Sequence, residues 1–435
     1  MGVIMISLSV AVLLALLAIS LPVGVVLVIL GISLGELYSF FPLLPASGEI
    51  LWSSSTEFVL VAVPMFILMG EILLRSGVAA GMYQSLDSWV NRVPGGLIHT
   101  NIAACSLFSA TSGSSVATAA TIGTVAIPNM KELGYDRRLY LGSIAAGGTL
   151  GILIPPSINL ILFGVLAEVS ITRLYLASLL PGICLAASFS IAVLIFCLLK
   201  PSLGGKVRSY TWRDRIASLK NLIAPMGLFT IVVGSIYAGY ATPTEAAALG
   251  VIAALSIAIL KGEFSLLDFY SALEGAMRTT AMVMLIVTSA FFLNFVMVSI
   301  GLTGKITDFM KGLNFSPIAV IFIIIIVYLV LGCFMETLSL MIATTPIVAP
   351  IVAALGFDLV WFGVLFMILI EAALITPPIG VNLFVVQSVR DRSDLGPMRD
   401  VMIGVTPFLF MMLIMIGVLV AFPSLALWLP NMVMQ

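Results

Sequence analysis

Apolar residues run along this chain in stretches long enough to cross a bilayer, broken at intervals by glycine, proline and small polar residues. An apolar run of about 18 residues or more reads as a spanning helix. The pattern predicts ten spans, at roughly 3–20, 22–40, 56–75, 138–167, 172–199, 218–238, 243–260, 277–300, 359–389 and 402–427. Two further stretches, about 97–130 and 316–352, are interrupted near their middles. Phe108-Ser109-Ala110-Thr111-Ser112-Gly113-Ser114-Ser115 divides the first, and Met335-Glu336-Thr337 divides the second. Each is expected to fold as a re-entrant helical hairpin whose tip lies at membrane depth.

Two of the spans are themselves broken. Gly148-Thr149-Leu150-Gly151-Ile152-Leu153-Ile154-Pro155-Pro156 lies in one, and Glu371-Ala372-Ala373-Leu374-Ile375-Thr376-Pro377-Pro378 in the other. Proline has no N–H, so each pair strips two upstream carbonyls of helical partners: Gly151 and Ile152, and Ala373 and Leu374. Ile154 and Thr376, just before the pairs, are pushed out of the helical region. Pro156 and Pro378 are placed to start a second half-helix. Irregular backbone at membrane depth survives only where protein or a water-filled cavity satisfies it. Paired interruptions in corresponding halves point to a binding site in a membrane carrier.

The halves correspond. An ungapped shift of 222 residues carries Pro128 onto Pro350, Leu133 onto Leu355, Gly134 onto Gly356, Asp136 onto Asp358, and Pro155-Pro156 onto Pro377-Pro378. The expected organisation is a first repeat over 1–199, a linker over 200–217 and a second repeat over 218–435. Each repeat holds five spans and one hairpin. An odd number of spans inverts the second repeat relative to the first. The fold class is therefore an all-α polytopic membrane protein built from inverted repeats.

Composition agrees. Of 435 residues, 61% are hydrophobic and 9% charged, far from the roughly 25% charged of a soluble domain. The net charge of -1 identifies no partner. Its distribution gives an orientation. Arg75, Arg92, Lys131, Arg137, Arg138, Lys261, Arg278, Arg390, Arg392, Arg399 and the basic 200–220 loop fall on one side. Only Arg173, Lys305 and Lys311 fall on the other. The crowded side is cytoplasmic by the positive-inside rule, and both termini then face outward. The N-terminal apolar run lacks a basic leader and continues past Pro22, so it reads as retained spans. No basic, aromatic-interleaved patch points to nucleic acid. Cys105, Cys184, Cys197 and Cys333 show no paired spacing and read as packing residues. Zinc-protease and Walker-type motifs are absent, which weighs against an enzyme and against ATP hydrolysis.

Each broken span offers free carbonyls for a cation and a helix N-terminus for an anion. The tips add the hydroxyls of Thr111, Ser112, Ser114 and Ser115 on one side, and of Thr337 and Ser339 on the other. These hydroxyls either bind a ligand or cap the returning helix. Asn159 and Asn382, just beyond the proline pairs, either face a ligand or hold freed backbone. Glu336 and Glu371 are either proton or cation sites or helix-end acids with local donors; a mid-membrane carboxylate costs about 2.5–3.5 kcal/mol. Glu245, after Thr242-Pro243-Thr244, reads as a structural first-turn acid. His99, the only histidine, reads as structural.

Several segments together resemble the large membrane subunit, the DctM type, of tripartite ATP-independent periplasmic (TRAP) transporters. They are Ser112-Gly113-Ser114-Ser115-Val116-Ala117-Thr118, Gly147 to Ser157, Thr242-Pro243-Thr244-Glu245-Ala246 and Ile375-Thr376-Pro377-Pro378-Ile379-Gly380. The resemblance covers nearly the whole chain. It implies a multi-pass protein of the bacterial inner membrane that imports an organic acid by an elevator motion. The driving force would be a sodium gradient, with no ATP. Implied partners are a periplasmic substrate-binding protein and a small four-span subunit, expected as a separate chain because no extra spans precede residue 3. Substrates of the family include C4-dicarboxylates, sialic acid and related carboxylates. Carried onto matching positions, one Na+ site would use Ser112, Ser115, Gly148 and Gly151. The other would use Thr337, Ala373, Ile375 and Thr376. The substrate would meet Thr111, Ser112, Ser114, Asn159, Thr345 and Asn382. The competing expectation is a stand-alone Na+- or H+-coupled carboxylate carrier without a binding protein.

Overall fold

A computed structural model describes residues 21–434 except 263, 303, 306–314, 378 and 391–395, together with 5, 8, 9, 11–13, 15, 16 and 19. Half of the first predicted span, and the positions of Lys311, Pro378 and Arg392, lie outside the described residues. Among those described, the chain is helical, with no strand.

The first half runs α1 (Val23–Tyr38), α2 (Ser47–Ser55), α3 (Ala62–Arg75) and α4 (Val78–Val90). Then come the hairpin α5 (Leu97–Ser112) and α6 (Ser115–Glu132), the broken pair α7 (Arg137–Thr149) and α8 (Ile158–Leu166), and α9 (Ile171–Leu199). The second half begins with α10 (Trp212–Ser218) and α11 (Lys220–Phe229), which continues through a π turn at Thr230–Gly234. It goes on with α12 (Pro243–Lys261), α13 (Leu266–Ser299), and the hairpin α14 (Pro317–Leu331) and α15 (Thr337–Ala354). The broken pair α16 (Leu359–Ile375) and α17 (Val381–Val389) follows, then α18 (Met398–Ala421) and α19 (Ser424–Val433).

Helix–turn–helix elements stand at both predicted hairpins, and both predicted breaks interrupt a helix. Among the described residues, seven stretches are long and apolar enough to cross a membrane alone. Six of these are expected spans and the seventh is the hairpin arm α15. Of the other expected spans, two are broken into shorter helices, α1 has only 16 residues, and the first is described only in part. The short helices α2, α4 and α10 were not predicted. Each runs for 13 residues or fewer and mixes polar with apolar positions, which leaves no spanning run to find. Helix α13 begins eleven residues before the expected 277 because a capping box, Ser265 with Asp268, starts it at Leu266.

Local chemistry explains why helix ends fall where they do. Ser114 accepts from the Ala117 amide to start α6, and Glu336 accepts from the Ser339 amide to start α15. Asp136 accepts from the Leu139 amide at α7, and Asp358 from the Val360 and Trp361 amides at α16. The same 222-residue offset carries Ser115–Glu132 onto Thr337–Ala354 and Arg137 onto Leu359. The sequence identity Asp136/Asp358 is thus a pair of helix caps.

Burial separates an inner set from an outer one. Every residue of α16 from Val360 to Ile375 is buried, so protein surrounds it on all sides. The residues of α7 from Leu139 to Thr149 are likewise buried. The two hairpins, their broken partners and α18 pack around this centre. Along one side run α1, α3, α12 and α13, which pack on one another and expose apolar side chains such as Ile252 and Leu285 outward. In a membrane protein such a face meets lipid.

Candidate functional site

The first hairpin turns in two residues. Gly113 takes a left-handed φ of 61°, and a Cβ there would lie 3.0 Å from the Pro156 carbonyl oxygen. The tip therefore rests directly on its own broken span. Glycines let the two come together: a Cβ at Gly148 would meet the Ala119 Cβ at 2.7 Å, and one at Gly151 would meet the Ser114 backbone at 3.1 Å.

Inside this contact lies a hydroxyl cluster. Ser112 Oγ and Thr118 Oγ1 are 3.0 Å apart, and Thr118 donates to the Ser114 carbonyl at 2.7 Å. Ser109 approaches Thr118 at 3.5 Å. The break itself differs in detail from the expectation. Helix α7 ends at Thr149, and α8 starts at Ile158 rather than Pro156, because Ser157 supplies the cap by accepting from the Leu160 amide. The Ser157 hydroxyl also donates to the Ile152 carbonyl, so that carbonyl is not free. No described backbone amide reaches the Gly151 carbonyl.

At the second break, α16 ends at Ile375 and α17 starts at Val381. Thr376 donates its amide to the Ala373 carbonyl at 3.2 Å and its hydroxyl to the Ala372 carbonyl at 2.7 Å. The Ala373 carbonyl, expected to be free, is therefore engaged by a tightened last turn. The carbonyls of Leu374 and Ile375 receive no described backbone amide. The second tip is longer, running from Gly332 to Glu336, and Gly332 lies against the Ala373 side chain. Thr337 donates to Glu336 Oε1 at 3.1 Å.

Both tips open on one cleft of about 130 Å³. Ser112 to Ala117 form one wall and Glu336 to Leu338 another. The break contributes Ile152, Ile158 and Asn159. The opposite wall is Glu71 of α3 with Thr279 and Val283 of α13. Glu71 forms an ion pair with Arg75 one turn along α3.

Of the predicted substrate residues, Ser112, Ser114 and Asn159 meet at this cleft. The Asn159 amide nitrogen is buried and has no partner. Three others are occupied elsewhere. Thr111 donates to the Phe108 carbonyl and Thr345 to the Met341 carbonyl, each within its own helix. Asn382 is fully buried and donates to the Ala145 carbonyl on α7 at 3.2 Å. Of the predicted cation residues, Ser112 and Ser115 lie at the first tip beside Gly148 and Gly151. Thr337 lies at the second tip, while Ala373, Ile375 and Thr376 form the end of α16. Glu371 is fully buried, and both its carboxylate oxygens lack partners.

Sequence reasoning missed Thr118, Glu71 and Thr279. Thr118 stands four residues after Ser114 on one helix face, a spacing that marks it as a neighbour. Glu71, four residues before Arg75 inside an apolar span, carried a similar signal. Thr279 carried none, since only tertiary packing brings α13 to the tips.

A polytopic helical bundle with paired broken helices around a central cleft defines a membrane transporter. Residues 10–425 match the family described as the DctM component of the tripartite ATP-independent periplasmic transporter, and the chain belongs to that family. It is 32% identical over 382 residues to the C4-dicarboxylate TRAP transporter large permease protein DctM of Pseudomonas aeruginosa, covering 88% of each chain. It is 30% identical over 383 residues to the sialic acid TRAP transporter large permease protein SiaM of Vibrio cholerae, covering 86% of this chain and 87% of that one. In fold it is similar to the YdaH transporter of Alcanivorax borkumensis, with a TM-score of 0.68 at 16% identity over 94% of this chain and 98% of that one. It is thus an inner-membrane permease component and not an enzyme.

Proposed function

We propose that this chain carries an organic carboxylate across the inner membrane by sodium symport. A periplasmic binding protein delivers the substrate, and a separate small membrane subunit completes the complex. The observation that carries this reading is the single cleft between both hairpin tips and the wall of α3 and α13. A substrate there touches two bodies at once: the inner helices, and the lipid-facing ones. Sliding the inner body past the outer wall would carry the cleft across the membrane, which is an elevator motion. The names of the relatives, C4-dicarboxylate and sialic acid permeases, support an organic acid as cargo.

The donor sets fit sodium as the co-transported ion. A hard cation takes oxygen ligands. The first set offers the Ser112 and Ser115 hydroxyls beside the free Gly151 carbonyl. The second offers Thr337 together with the carbonyls of Leu374 and Ile375 at the end of α16. Within the cleft, Ser112, Ser114 and the unpartnered Asn159 amide supply donors suited to a carboxylate. Two sodium charges beside the tips would offset the negative charge of Glu336 and of the substrate.

The test is uptake of radiolabelled acids into proteoliposomes holding this chain and its small subunit, with and without an inward sodium gradient and the binding protein. Uptake that needs both is the expected result. Sodium-driven uptake indifferent to the binding protein would instead establish a stand-alone carrier, and uptake indifferent to sodium would overturn the coupling.

A further inference from the structure

Away from the transport cleft, a second cavity of about 290 Å³ opens between α4, α11 and α12. Its polar lining is Lys220 at the first position of α11, Lys261 at the last position of α12, and Asn221. Val78, Ile257 and Leu260 supply its apolar wall. Neither ammonium forms an ion pair with a described residue. The Asn221 side chain is held over Gly81, where a Cβ would come within 3.4 Å of its Cγ. Two unneutralised lysines at one end of an apolar cavity make a receptor for a phosphate-type anion.

The surroundings say which anion. The apolar wall continues onto outward-facing side chains: Ile223 is 71% exposed, Ile259 62% and Leu260 86%. Those side chains offer acyl chains a path and offer a soluble anion nothing. Trp89 of α4 and Trp212 of α10 meet edge to face with centroids 6.3 Å apart and stay partly exposed, as tryptophans at a membrane–water boundary do. Both lysines belong to the basic side of the chain. Basic pockets between helices on the cytoplasmic side suit anionic headgroups.

We infer that Lys220, Lys261 and Asn221 bind the phosphate of an anionic phospholipid whose acyl chains lie along α11 and α12. The lipid ties the start of the second half to α4 of the first, and so braces the outer helices.

The experiment uses the purified full chain in detergent. Lipid adducts are counted by native mass spectrometry, and thermal unfolding is followed with added phosphatidylglycerol, phosphatidylcholine or inorganic phosphate. Phosphatidylglycerol should form a retained adduct and raise the unfolding midpoint, while the other two do neither. Lys220→Gln with Lys261→Gln should weaken the phosphatidylglycerol adduct about thirtyfold. Lys220→Arg with Lys261→Arg should keep it. The lipid-free midpoint of the Gln variant should match the parent, since both lysines are exposed and unpaired. Equal phosphatidylglycerol binding by parent and Gln variant overturns the site. An equal effect of inorganic phosphate overturns the lipid and leaves a soluble-anion pocket in its place.

Discussion

The two hairpin tips occupy equivalent positions and use different chemistry. Each is followed by an 18-residue helix at the same offset, and each supplies that helix with a side-chain cap. In the first, the cap is Ser114, the turn has two residues and the tip seals against Pro156. In the second, the cap is Glu336, the turn has five residues, and Phe334 stands 67% exposed. A capping position demands an oxygen acceptor and little else, so serine and glutamate fill it alike. What projects into the cleft beyond the cap is free to differ. The duplication holds the backbone, and the tips divide the chemistry.

The sharpest way to break this picture is to fill each tip. Ser115 and Thr337 are equivalent first residues of α6 and α15, both buried at the cleft. Ser115→Trp and Thr337→Trp should each lower sodium-driven uptake more than about a hundredfold, with normal membrane expression. A variant that keeps parental uptake would remove its tip from the transport site.

Next in size is a test of how the inner helices are held. Gly142 of α7 faces Gly404 of α18, and a Cβ on either would lie within 2.0 Å of the other helix's backbone. The same offset carries these positions onto Val364 and Gly182, and a Cβ at Gly182 meets only the side chains of Ile154 and Leu153 in the first break, at 3.1 Å or more. Backbone cannot rotate aside as a side chain can. Gly404→Ala should therefore cost more than about 3 kcal/mol, and Gly182→Ala about 1 kcal/mol or less. Thermal unfolding in detergent reads both. Equal costs would mean that the two crossings are not as unlike as they look.

The linker is strapped to the first half by a buried acid. Arg208 donates to Asn129 at 2.9 Å and lies 3.7 Å from Asp87 on α4, while Tyr210 donates to the same carboxylate. Burial pushes the Asp87 carboxyl up, and the Tyr210 hydroxyl and Arg208 partly offset that. Arg208→Gln removes one offset and should cost about 1–3 kcal/mol at neutral pH. The sign follows from a raised pKa. Stability from the protonated acid is full below the unfolded value near 4 and is lost as pH rises through the folded value. The penalty in Arg208→Gln should therefore grow as pH rises from about 4 towards 7, in melts of parent and variant taken side by side.

Much of the architecture was legible because bilayer spanning and proline leave strong marks. The proline pairs located both breaks, and polar interruptions located both tips. The points where helices resume were not legible, since Ser157 outcompetes Pro156 as a start by capping an amide. At the site, residues on the tips themselves could be read: Ser112, Ser114, Ser115 and Thr337. Thr111, Thr345 and Asn382 are the right residue types nearby, but each donates to backbone instead. Nothing local distinguishes a threonine that serves its own helix from one that faces a cleft. The opposing wall, Glu71 and Thr279, depends on packing between distant segments and left little trace.

The smallest expected effect separates the cap from the cleft. If Glu336 only caps, Glu336→Ser should behave like Ser114: within about 1 kcal/mol of the parent in stability, and unchanged in uptake. Its carboxylate, however, lines the cleft, where Ser114 presents only a hydroxyl. A negative charge beside the substrate disfavours a doubly charged acid more than a singly charged one, and sodium bound at the tips screens the difference only in part. Glu336→Ser should then keep the fold and shift the ratio of dicarboxylate to monocarboxylate uptake upward severalfold. Ser114→Glu should shift it downward by a similar factor. Competition between the two classes of acid in the same proteoliposomes reads the ratio directly. Opposite shifts would make the asymmetry of the tips a selectivity device. No shift in either variant would reduce it to two ways of starting a helix.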